Sequence, residues 1–337
     1  MTSMMTVSSV AQDLGERLRN VGNSYAGAYV EPLVDGLGAD LNSGLFQSVH
    51  FGRAESGLDV YLGVRAMAMP LGAGDDSFSL TYRGTAALDV RIGPSIRRLR
   101  LPATYTVEDA PTFFGAEDPG VTTVHVRHDT TISYLGVILP VSIDTTFQRE
   151  TIGGVTEGLN ALPFAAIQGG IGTLFGTSLI VRWLPTMEVE DLGDVGYFGF
   201  GLRHQLDRYL PPLPIRLAVQ GVWQRARVTD PADDEVLTAT TFGANIEASR
   251  RVGPLTLFGG IQTEEARLRV QYDLETDIED EDVVFPIDLD LRAQNRMRLV
   301  LGADLEAGPV HLYGDVNLGS RTSFSVGLGL VFNGPSL

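Results

Sequence analysis

From Ser323 to Phe332 the chain alternates strictly: Phe324, Val326, Leu328, Leu330 and Phe332 stand against Ser323, Ser325, Gly327, Gly329 and Val331. A period of two with one apolar face and one small or polar face predicts a β-strand. The same rule holds upstream. Val310, Leu312, Val316 and Leu318 oppose His311, Tyr313, Asp315 and Asn317, and Met297, Leu299, Leu301, Ala303 and Leu305 oppose Arg298, Gly302, Asp304 and Glu306. It recurs at 255–264, 242–251, 215–224, 197–203 and 175–183, so eight successive segments share one pattern. Strands of soluble sandwiches run for about five or six residues. These continue for about 10 or more, the length that crosses an outer membrane at a tilt.

The connections add a second test. With the C-terminus placed in the periplasm, VGP at 252–254, AGP at 307–309 and YLPPLP at 209–214 fall on one side. The longer, more acidic connections around 187–194, 229–236 and 271–292 fall on the other, where only LGSRT at 318–322 is short, as expected of short periplasmic turns and longer outer loops. Ahead of these, Leu58, Val60, Leu62 and Val64 alternate with Asp59, Tyr61, Gly63 and Arg65 as a first strand, and 78–92, 121–133 and 134–148 are further strands. The expected fold is therefore all-β: a transmembrane antiparallel β-barrel of about 12–14 strands, the even number that closure favours. The uncharged stretch 158–181 is long enough for a membrane helix, but Pro163, Gly169, Gly170, Gly172 and Gly176 and its alternating second half argue against one.

The period changes near the N-terminus. Leu14, Leu18, Val21, Tyr25 and Tyr29 recur at spacings of four and three, the stripe of an amphipathic helix. Ahead of a barrel, such a segment is expected to sit in the lumen as a plug. The following YVEPLVDGLGADLNSG, rich in Gly, Asp and Asn, reads as a turn-rich connection. Residues 1–11 lack a charged n-region and an apolar h-region, yet Ser9, Val10 and Ala11 match the small-residue end of a signal peptide. The expected division is 1–11 as a signal-peptide remnant or disordered tip, 12–45 as the helical plug and lead-in, and 46–337 as the barrel.

Composition narrows the function. The net charge is −17 and all 25 basic residues are Arg, which argues against nucleic acid as a partner. There is no cysteine, which excludes disulfides and thiolate metal sites. The mean hydropathy of +0.08 is ordinary because half of a membrane barrel's strand residues face water. The polar face supplies the candidate lumen residues: Arg216, Gln220, Gln224, Asn245, Glu247, Arg296, Arg298, Asp304, Glu306, Tyr313, Asp315 and Asn317.

Catalysis has weak support. His125, His128, His204 and His311 are candidate bases with Asp129 or Asp315 as partners, but no serine lies in a GxSxG setting. His125 and His128, three apart, point to opposite faces of a strand and make a poor metal pair. The acidic run YDLETDIEDEDVVFPIDLDLR lacks calcium-loop spacing and reads as a solvated outer loop. Neither a catalytic group nor a cofactor or resident metal is expected.

The runs GLNALPFAAIQGGIGTLFGTSLIVRWLP, YFGFGLRHQL and YLPPLPIRLAVQG, with the opening QDLGERLRNVGNSYAGAYVEPLVDGLGADLNSG, resemble an uncharacterised family of outer-membrane proteins whose barrels are similar to the long-chain fatty-acid porins. The resemblance covers nearly the whole chain, although NGPSL follows Phe332 where such barrels often end on an aromatic residue. It implies a Gram-negative outer membrane and passage of small hydrophobic molecules past an N-terminal plug. The expected partners are outer-membrane lipid and a hydrophobic ligand. Two alternatives stay open: a barrel that anchors or binds a protein partner through acidic loops, and a general porin for polar solutes. The oligomeric state is open.

Overall fold

The computed structural model describes residues 24–46, 59–92, 95–134, 137–189, 193–230, 235–278 and 281–332. Helix α1 spans residues 24–41. Fifteen strands follow: β1 Asp59–Pro70, β2 Ser77–Ile92, β3 Ser95–Pro111, β4 Val121–Tyr134, β5 Val137–Glu150, β6 Ala161–Leu174, β7 Thr177–Val189, β8 Gly193–Gln205, β9 Arg216–Thr229, β10 Glu235–Val252, β11 Leu255–Ile278, β12 Glu281–Arg292, β13 Met297–Ala307, β14 Val310–Leu318 and β15 Ser323–Phe332. They form two compact units, one of residues up to Pro32 with 72–159 and one of 33–71 with 160–337.

The second unit is a closed ring of ten antiparallel strands, β1-β6-β7-β8-β9-β10-β11-β13-β14-β15, shut by β15 pairing with β1. Its outward positions are large and apolar: Val60, Leu62, Phe198, Phe200, Ile246, Leu301, Leu312 and Leu328 are all exposed. A contiguous apolar belt of this kind around a closed sheet suits hydrocarbon, where every backbone group must find its partner within the wall. All eight segments of the recurring pattern lie in the ring, joined by β1 and by β6. The stretch 158–181 thus forms β6 and the start of β7, and no helix among the described residues is long and apolar enough to cross a membrane.

The registers sort the connections by edge. Where β15 ends, two-residue turns join β6 to β7, β10 to β11 and β13 to β14, with 206–215 between β8 and β9. Gly253 and Gly308, each before a proline, have φ of +64°, the positive angle that a type II′ hairpin turn needs at its first central residue. The opposite edge carries the longer connections, among them the one between β11 and β13 that holds β12, with 319–322 short on that side. The acidic run expected as a loop is a paired hairpin: β11 outruns the ring and its residues Arg267–Ile278 pair with β12.

The strand count of about 12–14 and the single barrel over 46–337 need correction. The chain leaves the ring after Pro70, re-enters at Ala161, and Leu71 N–H donates to the Asn160 carbonyl at 2.9 Å across that gap. Between them, among the described residues, β2–β5 pair only with one another, as a four-stranded antiparallel sheet. Their polarity is the reverse of the ring's. Thr81, Arg83, Arg98, Arg100, His125 and Arg127 are exposed, while Ala86, Leu101, Ala103, Val124 and Val126 form a buried cluster on the other face. This sheet keeps polar residues for water, which is why these strands do not enlarge the ring.

The contrast yields a prediction. Leu301→Arg, mid-strand on the outer face of β13, should destabilise the folded protein by ~2–4 kcal/mol in denaturant titrations in lipid, whereas Thr81→Arg on β2 should stay within about 0.5 kcal/mol.

Candidate channel interior

Ten strands enclose more space than their own side chains fill, and eight is about the number at which side chains suffice. Residues 33–46 occupy the remainder: Val34, Asp35, Ala39, Asp40, Leu41, Asn42, Ser43, Leu45 and Phe46 are all buried. The end of α1 that lies here has carbonyls without helical partners. Three inward arginines, fully or almost fully buried, supply donors. Arg298 of β13 donates to the Ala39 carbonyl at 3.1 Å, Arg182 of β7 to the Leu41 carbonyl at 2.9 Å, and Arg65 of β1 to the Phe46 carbonyl at 2.8 Å. Cations beside a helix C-terminus also complement its dipole.

Each arginine is held in turn. Arg65 pairs with Asp315 at 3.2 Å and lies over the Tyr313 ring, Arg182 donates to Gln224 Oε1 at 2.7 Å, and Arg298 pairs with Glu264. Neutral groups complete the seat. Gln262 Nε2 donates to the Asn42 carbonyl at 2.9 Å, Gln224 Nε2 to Asn42 Oδ1 at 3.2 Å, and the Ser43 and Ser323 hydroxyls lie 2.5 Å apart. Toward the edge with the long connections, Asp35 accepts from the Gln294 amide at 2.8 Å and meets Arg321 at 3.2 Å. The segment therefore runs from that edge into the middle of the ring.

Gly36 and Gly38, read in the sequence as turn signals, serve clearance inside the ring. A Cβ on Gly36 would come within 2.6 Å of Leu162, and one on Gly38 within 2.5 Å of Ala293.

The structure distributes the sequence-predicted lumen residues unevenly. Gln220, Gln224, Asn245, Glu247, Arg298, Asp304, Tyr313, Asp315 and Asn317 are buried inward. Glu306 is half-buried and pairs with Arg251 at 2.8 Å. Arg216 and Arg296 lie at the rims and are exposed, Arg216 pairing with Asp207 at 2.7 Å at the start of β9 and Arg296 preceding β13. Of the predicted plug stripe, Leu14, Leu18 and Val21 lie outside the described residues. Tyr25 and Tyr29 belong to the first unit, where Tyr25 meets the Phe78 ring at 5.1 Å and Tyr29 Oη donates to the Gly153 carbonyl at 2.9 Å. The segment inside the ring is instead the one read as a turn-rich connection. Arg65, Arg182, Arg203, Gln262 and Glu264, absent from the candidate set, already stood on the polar side of the alternation.

The candidate bases are dispersed. His311 faces Asp304 at 3.1 Å rather than Asp315, His125 faces Asp144 at 2.8 Å on an exposed sheet face, and His204 meets Thr177 and Tyr209. Asp129 accepts from Ser142 at 2.6 Å. Among the described residues, no group of three His, Asp or Glu side chains is arranged for a metal.

These features define a transmembrane β-barrel whose lumen holds a segment of its own chain. The chain matches the model of the family of unknown function DUF6588 over residues 1–332, and it belongs to that family. Comparison with curated proteins finds no match. Solved structures with partial likeness include the outer-membrane protein OmpT of Vibrio cholerae, at 11% identity over 82% of this chain and 100% of that one, with a TM-score of 0.26. The TodX monoaromatic hydrocarbon channel matches at 10% identity over 86% and 92%, with a TM-score of 0.27. The β-domain of the Bordetella autotransporter BrkA matches at 12% identity over 82% and 100%, with a TM-score of 0.31. Scores this low carry no inference about function.

Asp40 gives the seated segment a pH dependence. It lies on α1 rather than on a spanning strand, and its side chain is fully buried. Burial pushes this carboxyl up from 3.8 to about 8, against the opposing effects of the Met69 amide and Arg298. Between those values the folded state keeps a proton that the unfolded chain releases, so stability is full below about 4 and falls as pH rises to about 8. Asp40→Asn should therefore raise the thermal midpoint at pH 8 and flatten its decline between pH 5 and 8, relative to the wild type.

Proposed function

We propose that the protein is an outer-membrane channel for passive uptake of small, hydrophobic molecules, with residues 33–46 as its plug. The observation that carries this reading is the segment of the chain seated inside the ring beside an apolar patch of the inner wall. Toward the edge with the long connections β1, β6, β10 and β11 turn Met67, Met69, Leu162, Phe164, Ala239 and Leu268 inward, while β13–β15 turn Arg298, Asn317 and Ser323 inward. Toward the other edge they include Arg203, Gln220, Asn245, Glu247 and Asp304, together with Tyr61, Phe258, Tyr313 and Val331. An apolar patch at the mouth favours entry of apolar solutes, and the arginines that latch the segment stand beside it on the same wall. The latch consists of hydrogen bonds to backbone carbonyls, which water can replace when the segment moves. On this reading the edge with short turns faces the periplasm, and the described histidine and carboxylate pairs serve structure rather than catalysis. The likeness to fatty-acid porins read from the sequence agrees with it.

A second reading is favoured by the four-stranded unit: a barrel that anchors this unit and binds a partner through it or through the acidic hairpin, without transport. The chain has no native cysteine, so Ser43→Cys with Ser323→Cys would create one defined cross-link between segment and wall. Cells carrying this variant should take up the apolar dye N-phenylnaphthylamine at the level of cells lacking the protein when oxidised, and at the wild-type level after reduction. Equal uptake in both states, whether high or at background, would contradict gating by the segment.

A further inference from the structure

We infer that the four-stranded unit carries a binding site for a small aromatic carboxylate, on the apolar face of its sheet beside Tyr82, Tyr105 and Arg149. This goes beyond the transport reading and stands on the first unit alone. A cavity of about 280 Å³ opens there, below the size of sites for drug-sized ligands and suited to a single ring with one substituent. Its wall is aromatic and flat: the Tyr82 and Tyr105 rings stack at 4.9 Å with their planes 3° apart. Their neighbour Tyr25 contributes a third phenol.

Polar groups at the same cavity give the ligand its charge. Strand alternation puts Arg149 on the face of Phe147, and its guanidinium lies 5.6 Å from that ring, while Glu150 belongs to the opposite face. Arg149 makes no ion pair among the described residues, although exposed arginines elsewhere on the chain are paired with carboxylates. Two hydroxyls of the lining residues, Tyr25 Oη and Thr151 Oγ1, are shielded from solvent and have no hydrogen bond among the described residues, whereas the Tyr105 hydroxyl is satisfied by the Thr85 carbonyl at 2.9 Å. Unmet hydroxyls beside a cavity are what a polar ligand group completes. One guanidinium among phenols and aliphatic side chains matches a monoanion bound through a planar carboxylate, since a guanidinium's paired donors fit its two oxygens. A phosphate, with greater charge, would call for more cations than the single arginine here.

Calorimetric titration of the full-length protein in detergent tests this with benzoate, benzamide and acetate as probes. Benzoate should bind saturably, benzamide should bind at least about tenfold more weakly, and acetate should give no saturable heat. Arg149→Gln, on an exposed side chain that leaves the sheet intact, should weaken benzoate by about tenfold or more and leave benzamide unchanged. Tyr82→Leu should weaken both aromatic probes. Absence of saturable benzoate binding up to about 10 mM by folded protein, or equal benzoate affinity in Arg149→Gln and wild type, would overturn the assignment.

Discussion

Within a bilayer there is no water to satisfy a backbone amide or carbonyl, and this constraint forces the strands into a ring. Closure depends on one pairing between the ends of the chain, β1 with β15, in which Val60 faces Phe332 and Ala68 faces Phe324. Once the wall is closed, its outer face must be apolar and its inner face is free to be polar. The four strands that break this rule, with Arg and Thr outward and Ala, Leu and Val inward, form a separate sheet. Polarity of the two faces, more than strand length, decides which strands enter the wall.

A ring of ten strands has room to spare, and the chain fills it with its own backbone. Burying helix-end carbonyls and charged groups is costly unless each meets a partner. The interior answers with guanidinium groups. Each offers several donors, so Arg298 serves Ala39, Ser43 and Glu264 together, and Arg65 serves Phe46 and Asp315. A lysine could not span carbonyl and carboxylate in that planar way. Wall and segment are thereby joined through directional bonds.

Much of this was legible in the sequence, because a period of two is a direct imprint of a two-faced wall. The eight C-terminal segments, the face that each residue takes and the sorting of turns to opposite edges all follow from it. The number of strands in the ring was not legible: β2–β5 alternate with the same period, and which strands pair is decided by partners far along the chain. Their exposed His125 and Arg127, which blur the pattern, mark the water-facing side. The segment inside the ring was misread because Gly36 and Gly38, ordinarily helix breakers, are required by close approach to Leu162 and Ala293. The helical stripe at Tyr25 and Tyr29 was visible, but its packing against β2 and the 113–153 region was not.

The chain's two tryptophans, Trp183 on β7 and Trp223 on β9, both alternate with buried inward residues and so stand on the outer face of the ring. Reconstitution into bilayers of phospholipid with brominated acyl chains therefore tests the lipid-facing wall directly. Lipid-facing tryptophans should be strongly quenched relative to the same lipid without bromine. Unchanged emission, in protein shown to be folded and incorporated in the bilayer, would contradict it.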